Sequence, residues 1–195
     1  WIDMAKTKKI APTFAPLPRL DVLWLAASLL LAAIPHALII APWVSALFFF
    51  ALAWRATISW CGLAMPRRWQ ILALAAIAMA GIYLGYRTLV GRDAGVALLL
   101  IMSSLKLLEM RNRRDAMLTA FLGYFLVLTE FLYSQSIGLG IYALAVAWLI
   151  TAALVGIHRT DNAAGFRERL LPSARLLLQA VPMMLILFIL FPRVG

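Results

Sequence analysis

Between Leu20 and Trp54 the chain runs for 35 residues with one charged side chain, Asp21, at its edge. A single straight helix of that length would measure about 50 Å. The hydrocarbon core of a bilayer is only about 30 Å thick. Pro35 and Pro42 lie where such a helix has to break. The stretch therefore predicts two short spans, at about 20–35 and 42–59, joined by the tight hairpin PHALIIAP. Five more apolar runs follow, at about 69–86, 93–109, 116–133, 137–156 and 174–191. None shows the alternating polarity of a barrel strand. The expected fold class is all-α: a polytopic membrane helical bundle of about seven transmembrane helices, with the lipid bilayer as its solvent. Composition points the same way. The chain is 65% hydrophobic and 13% charged, whereas a soluble domain is roughly half apolar and about a quarter charged. A re-entrant first hairpin would reduce the count to six.

The net charge of +10 arises from 18 Lys and Arg against 8 acids. On a soluble protein this would suggest nucleic acid. Here the cations cluster between apolar runs, which is the pattern of basic cytoplasmic loops, so no nucleic-acid partner is expected. With the N-terminus in the cytoplasm, the inner segments hold 14 of the 18 cations: Lys6, Lys8, Lys9, Arg19, Arg55, Arg67, Arg68, Arg111, Arg113, Arg114, Arg159, Arg167, Arg169 and Arg175. The outer segments hold Arg87, Arg92 and Arg193. The expected topology is a multi-pass protein of a bacterial cytoplasmic membrane, N-terminus inside and C-terminus outside. Residues 1–19 read as a flexible basic tail, in which Met4-Ala5-Lys6 looks like a natural start. No cleavable leader is expected. The loop IHRTDNAAGFRERLLPS, 157–173, is either a solvated linker or a helix lying in the interface. In the second case Phe166, Leu170 and Leu171 face lipid while Arg167 and Arg169 reach headgroups.

Few polar groups enter the spans. Glu130 lies about 21 Å of helical rise from the inner end of span five. It reads either as an edge residue partly in water or as a proton or substrate site, with Arg87 or Arg92 as candidate partners. His36 is placed in the outer hairpin and His158 at the inner end of span six, where a cation suits a helix C-terminus. Gln179 is expected to hydrogen-bond between helices, and Pro182 to kink span seven. Gly81 and Gly85 form a GxxxG pair, for packing within the bundle or for a homodimer. Trp43, Trp54, Trp60 and Trp69 sit near span ends as interfacial anchors. The single cysteine, Cys61, precludes an intrachain disulfide, and no Cys/His cluster has metal-ligand spacing. No metal or cofactor is expected.

The densest charge lies in KLLEMRNRRD, between spans four and five. Continued helix would pair Glu109 with Arg113 and Arg111 with Asp115, each four residues apart. Lys106, one turn deeper, meets Glu109 or snorkels outward. The cluster reads as a self-neutralising inner corner, or as a docking patch in which Arg111, Arg113 and Arg114 meet anionic lipid or a cytoplasmic protein.

The longer stretch KLLEMRNRRDAMLTAFLGYFLVLTEFLYSQS resembles the N-terminal membrane region of TgpA-like bacterial transglutaminase-family proteins. The residues that carry the likeness are Lys106, Leu107, Leu108, Glu109, Arg111, Arg114, Asp115, Phe121, Tyr124, Phe125, Thr129, Phe131, Leu132 and Gln135. The late segment LLLQAVPMMLILFILFPR fits the same pattern. The resemblance implies a large extracytoplasmic transglutaminase-like domain with a Cys-His-Asp triad beyond residue 195, then a further membrane helix and a cytoplasmic tail. It implies that this chain anchors, and in part regulates, that domain, and that no catalytic residue lies within it. Cys61 is not expected to be the nucleophile, because no base adjoins it in sequence. The alternatives are a membrane enzyme or lipid-handling protein that uses Glu130 and the outer hairpin, or a small-molecule transporter. Both need a polar cavity at depth.

Overall fold

The computed structural model describes residues 17–87, 91–159 and 165–190, apart from the side chains at 184, 185 and 187–189. The tail before residue 17 and the segment from 191 onward, Arg193 included, lie outside the described residues. Those described form seven helices: α1 Arg19–Ala37, α2 Pro42–Cys61, α3 Arg68–Tyr86, α4 Arg92–Glu109, α5 Arg113–Glu130, α6 Ile137–His158 and α7 Phe166–Leu190. Four of them, α1, α2, α3 and α6, are long and apolar enough to cross a membrane. Helices α3 to α7 pack in chain order as a row. Across this row lie α1, against α5 and α6, and α2, against α4, and α1 and α2 also touch each other. Leu25 and Leu29 of α1, Leu100 of α4, Leu126 of α5 and Ile150 of α6 are fully buried. Leu72, Ile77 and Leu84 of α3, Phe121 and Phe125 of α5, and Ile141 and Leu144 of α6 point outward. An apolar outer surface this extensive suits a hydrophobic surrounding, such as lipid or a protein partner.

The turns sort the polar groups into two ends. One end, here the basic end, gathers the starts of α1, α3, α5 and α7 and the finishes of α2, α4 and α6. The opposite set forms the far end. α2 stops at Gly62, whose φ of 67° returns its amide to the Ile58 carbonyl. This left-handed conformation suits glycine, which has no Cβ to clash. At the far end α2 starts with Pro42 in its first turn, where the missing amide proton costs nothing.

Pro35 does not end α1, contrary to the expectation from sequence. The helix continues to Ala37, and the turn is confined to residues 38–41. A proline inside a helix leaves the carbonyl four residues earlier without its donor. For Pro35 that carbonyl belongs to Leu31, and the Tyr142 hydroxyl of α6 donates to it at 2.6 Å. The same substitution occurs in α7. Pro172 frees the Glu168 carbonyl, which takes the Arg159 guanidinium at 2.9 Å. Buried hydroxyls are handled within their own helices: Ser28, Ser103, Ser104 and Thr119 each donate to a carbonyl three or four residues back.

α7 begins at Phe166, not near 174, so the latter part of the 157–173 segment belongs to α7 rather than to a loop or a separate helix. Phe166 packs on Trp24 of α1, with ring centroids 5.4 Å apart. Arg169 is buried and does not reach headgroups. It donates to Asp21 Oδ1 at 2.5 Å, joining the first helix to the last. Only a hydrogen fits beside the pair on α6: a Cβ at Gly156 would overlap the Arg169 guanidinium. Trp148 Nε1 ties α6 to Ser173 of α7 at 2.9 Å. Gln179, expected to bond between helices, is exposed. The GxxxG face is filled from within the chain, since Trp43 covers Gly81 so closely that a Cβ there would come within 3.0 Å of the indole.

Tyr142→Phe is expected to lower stability by about 1–3 kcal/mol, as for any buried carbonyl losing its donor. Thermal unfolding in detergent measures this. The loss is expected to shrink in a Pro35→Ala background, where residue 35 regains an amide proton for Leu31. Equal losses in both backgrounds would count against the pairing.

Candidate functional site: the two polar ends of the bundle

At the basic end, α4 finishes at Glu109 and the backbone extends at Met110, with ψ of 117°. This break removes the helical register that would have set Glu109 against Arg113, and no such pair forms among the described residues. Lys106 Nζ instead bonds Glu109 Oε2 at 3.1 Å and lies 3.6 Å from Asp115 Oδ1 on α5. The lysine bridges the α4–α5 corner. Asp115 Oδ2 accepts the backbone amide of Arg111 at 3.2 Å, so the expected Arg111–Asp115 side-chain pair is replaced by a main-chain bond. Asp115 occupies the first turn of α5 and Lys106 the last turn of α4, each of the sign its helix dipole favours.

Two arginines clamp neighbouring segments onto this corner. The Arg111 guanidinium donates to the Pro66 carbonyl at 3.3 Å. Arg55 of α2, 3% exposed, donates from Nη2 to the Met110 carbonyl at 3.1 Å. Sequence reasoning counted Arg55 only as a loop charge. Its position one helical turn before Ser59, inside an apolar run, was the available signal. Arg113 and Arg114 are exposed. Among the other residues of the sequence motif, Tyr124 shares a hydrogen bond with Thr151 of α6 at 2.7 Å. Phe121 faces outward, and Gln135 is exposed in the turn before α6. Cys61, the last residue of α2, is exposed. His158 bonds the Leu154 carbonyl of its own helix at 2.8 Å.

The far end differs from expectation at both residues singled out there. His36 is not in a loop. It lies in the last turn of α1, fully buried, with Nε2 2.8 Å from Thr129 Oγ1 of α5. The Thr129 hydroxyl also donates to the Leu126 carbonyl. Nδ1 is buried without a hydrogen-bond partner among the described residues. Glu130, the last residue of α5, is 2% exposed and is not an edge residue in water. Neither of its carboxyl oxygens has a hydrogen-bond partner there. Arg87 and Arg92 do not reach it. Arg92 bonds Asp93 and the Leu132 carbonyl, each at 3.3 Å, and stacks 4.5 Å above the Tyr133 ring. Tyr133 donates to Asp93 at 2.9 Å and turns its edge toward His36. Of these three, Tyr133 packs against the buried imidazole, with ring centroids 6.0 Å apart. No group of three or more His, Cys, Asp or Glu capable of holding a metal occurs among the described residues.

This geometry holds helices together, and among the described residues it assembles no nucleophile, base and orienting acid in one place. The comparisons with known proteins place the chain accordingly. The family model described as the TgpA N-terminal domain matches residues 24–195. A protein-glutamine gamma-glutamyltransferase of Pseudomonas aeruginosa is 38% identical over 179 residues, which is 92% of this chain and 27% of that protein. The chain thus spans about a quarter of the length of the curated relative it matches. No solved structure matches.

Replacing a buried carboxyl that lacks partners by a hydrocarbon of similar size is expected to stabilise the bundle. Glu130→Leu should raise stability by about 1–3 kcal/mol, seen as a higher unfolding temperature in detergent. A lower temperature would mean that the carboxyl has a structural partner after all.

Proposed function

The chain belongs to the TgpA N-terminal domain family, and on that premise we propose that it is the membrane-embedded part that anchors a transglutaminase-like domain on the outer face of a bacterial cytoplasmic membrane. All seven helices cross the bilayer in this reading. In α4 and α5 the charges stand at the helix ends, level with the polar ends of α1, α2, α3 and α6. Arg92 and Asp93 open α4 while Lys106 and Glu109 close it, and Arg113 to Asp115 open α5. The observation that carries the reading is the uneven partition of cations between the two ends. Arg19, Arg55, Arg67, Arg68, Arg111, Arg113, Arg114, Arg159, Arg167 and Arg169 gather at the basic end, against Arg87 and Arg92 at the far end. Positive charge stays with the cytoplasm. The N-terminus is then inside, and α7 leads the chain outward after an odd number of crossings.

The relative's name states a glutamine gamma-glutamyltransferase activity. In the proposed arrangement that acyl-transfer chemistry belongs to the domain beyond residue 195, with a Cys-His-Asp triad supplied there. The bundle contributes position and a rigid base, and the Lys106–Asp115 corner fixes how deep α4 and α5 sit. Arg113 and Arg114, exposed beside that corner, are available to anionic headgroups or a cytoplasmic partner.

Fusions test the topology. Alkaline phosphatase, active only outside the cytoplasm, is expected to be active when joined after Gly195 and inactive when joined before Met4. A fluorescent protein that matures only in the cytoplasm should show the reverse. Two ends that behave alike would overturn the anchor. In the full-length protein, Glu130→Ala is expected to leave acyl transfer within about twofold of wild type. A membrane enzyme or transporter working through Glu130 would lose its turnover.

A further inference from the structure

A cavity of about 210 Å³ opens at the basic end between α1, α2 and the turn before α5. Its polar lining includes Arg19, Arg55, Ser59 and Arg111, and its apolar wall includes Val22 and Ile58. Three arginines thus line this space, and among the described residues no carboxylate does. The acids nearest in the fold are committed elsewhere. Asp21 takes Arg169, Asp115 takes the Arg111 amide and Lys106, and Glu109 takes Lys106. Arg55 and Arg111 each spend one Nη on a main-chain carbonyl, Met110 and Pro66. Neither carbonyl cancels a full charge. Arg55 is 3% exposed, and its Nε–H is buried without a hydrogen-bond partner among the described residues. Leaving a buried cation uncompensated costs several kcal/mol. A tetrahedral oxyanion removes that cost, because guanidinium forks match phosphate oxygens and bind them by charge-assisted hydrogen bonds.

We propose that this pocket is a binding site for a phosphate-type anion, held by Arg55, Arg111 and Arg19 with the Ser59 hydroxyl as an additional donor. Arg55 sits at the floor and supplies the buried charge. Arg19, exposed on the first turn of α1, closes the rim. The pocket lies where α1 starts and α2 finishes, at headgroup depth in the transmembrane reading. Val22 and Ile58 offer an apolar wall to the glycerol end of a phospholipid. The phosphate can accordingly come from a lipid of the cytoplasmic leaflet or from solution. This site is distinct from the exposed Arg113 and Arg114. It rests on the transmembrane reading but not on which domain follows residue 195, so the fusion experiment and the one below can fail separately.

The test uses the full 195-residue chain, delipidated in a non-ionic detergent, with the unfolding temperature followed during titration. Three probes are added: dioleoylphosphatidylglycerol, dioleoylphosphatidylcholine and inorganic phosphate. Phosphatidylglycerol is expected to raise the unfolding temperature saturably and phosphatidylcholine to do so much less. Arg55→Gln should weaken the phosphatidylglycerol midpoint at least about tenfold, as loss of a charge-assisted contact implies. Arg19→Gln, at an exposed position that does not threaten folding, should weaken it about threefold or more by the same principle. The Arg113→Gln/Arg114→Gln double variant should keep the wild-type midpoint. Saturation by inorganic phosphate alone, lost in Arg55→Gln and Arg19→Gln, would uphold the anion site and assign its source to solution. Equal effects of both lipids with none from phosphate, or a midpoint unchanged in Arg19→Gln and Arg55→Gln, would overturn the proposal.

Discussion

Inside a bilayer a carbonyl oxygen has no water to turn to, so each one must find its proton donor within the protein. In the proposed transmembrane arrangement the bundle is organised around that constraint. Its helices satisfy most main-chain groups by themselves, and the exceptions show what the constraint demands. Pro35 and Pro172 each leave one carbonyl without a donor, and in both cases a side chain from α6 or its C-terminal flank fills the gap. Tyr142 and Arg159 stand near opposite ends of α6, so these two repairs also fix the position of α6 against α1 and α7. At these two prolines the missing bonds are replaced by contacts between segments.

The same logic governs the charges. Where the bundle buries a cation deeply it gives it a carboxylate, as for Arg169 and Asp21, or a main-chain carbonyl, as for Arg55 and Met110. Polar side chains are concentrated at the two ends, and the middle is closed by Leu29, Gly123 and Ile150, which approach so tightly that a Cβ at Gly123 would come within 3.0 Å of Leu29.

Much of this was legible in the sequence because it follows from local rules. Hydrophobic run length located all seven helices, Pro42 marked where α2 starts, and Lys106 found Glu109 one turn away as spacing implied. What escaped depends on which residues meet across long separations. His36 looked like a loop residue because Pro35 looked like a terminator. The donor that lets α1 continue past Pro35 is Tyr142, more than a hundred residues later. Glu130 looked half-solvated because depth along a helix says nothing about which face is covered. Arg169 looked like a headgroup ligand because Asp21 lies in a different helix. The charge corner fell between these cases: its members were right, but the break at Met110 changed who pairs with whom.

The Asp21–Arg169 pair also bears on the order in which the molecule is made. Asp21 leaves the ribosome among the first membrane residues, and its counter-ion is synthesised 148 residues later. Until α7 arrives, α1 must hold an acid at the bilayer surface with its partner absent, and the wedge between α1 and α6 beside Gly156 stays open. Docking of α7 is therefore the step that latches α1, so that the seven helices are locked into their final arrangement only once the seventh has been made.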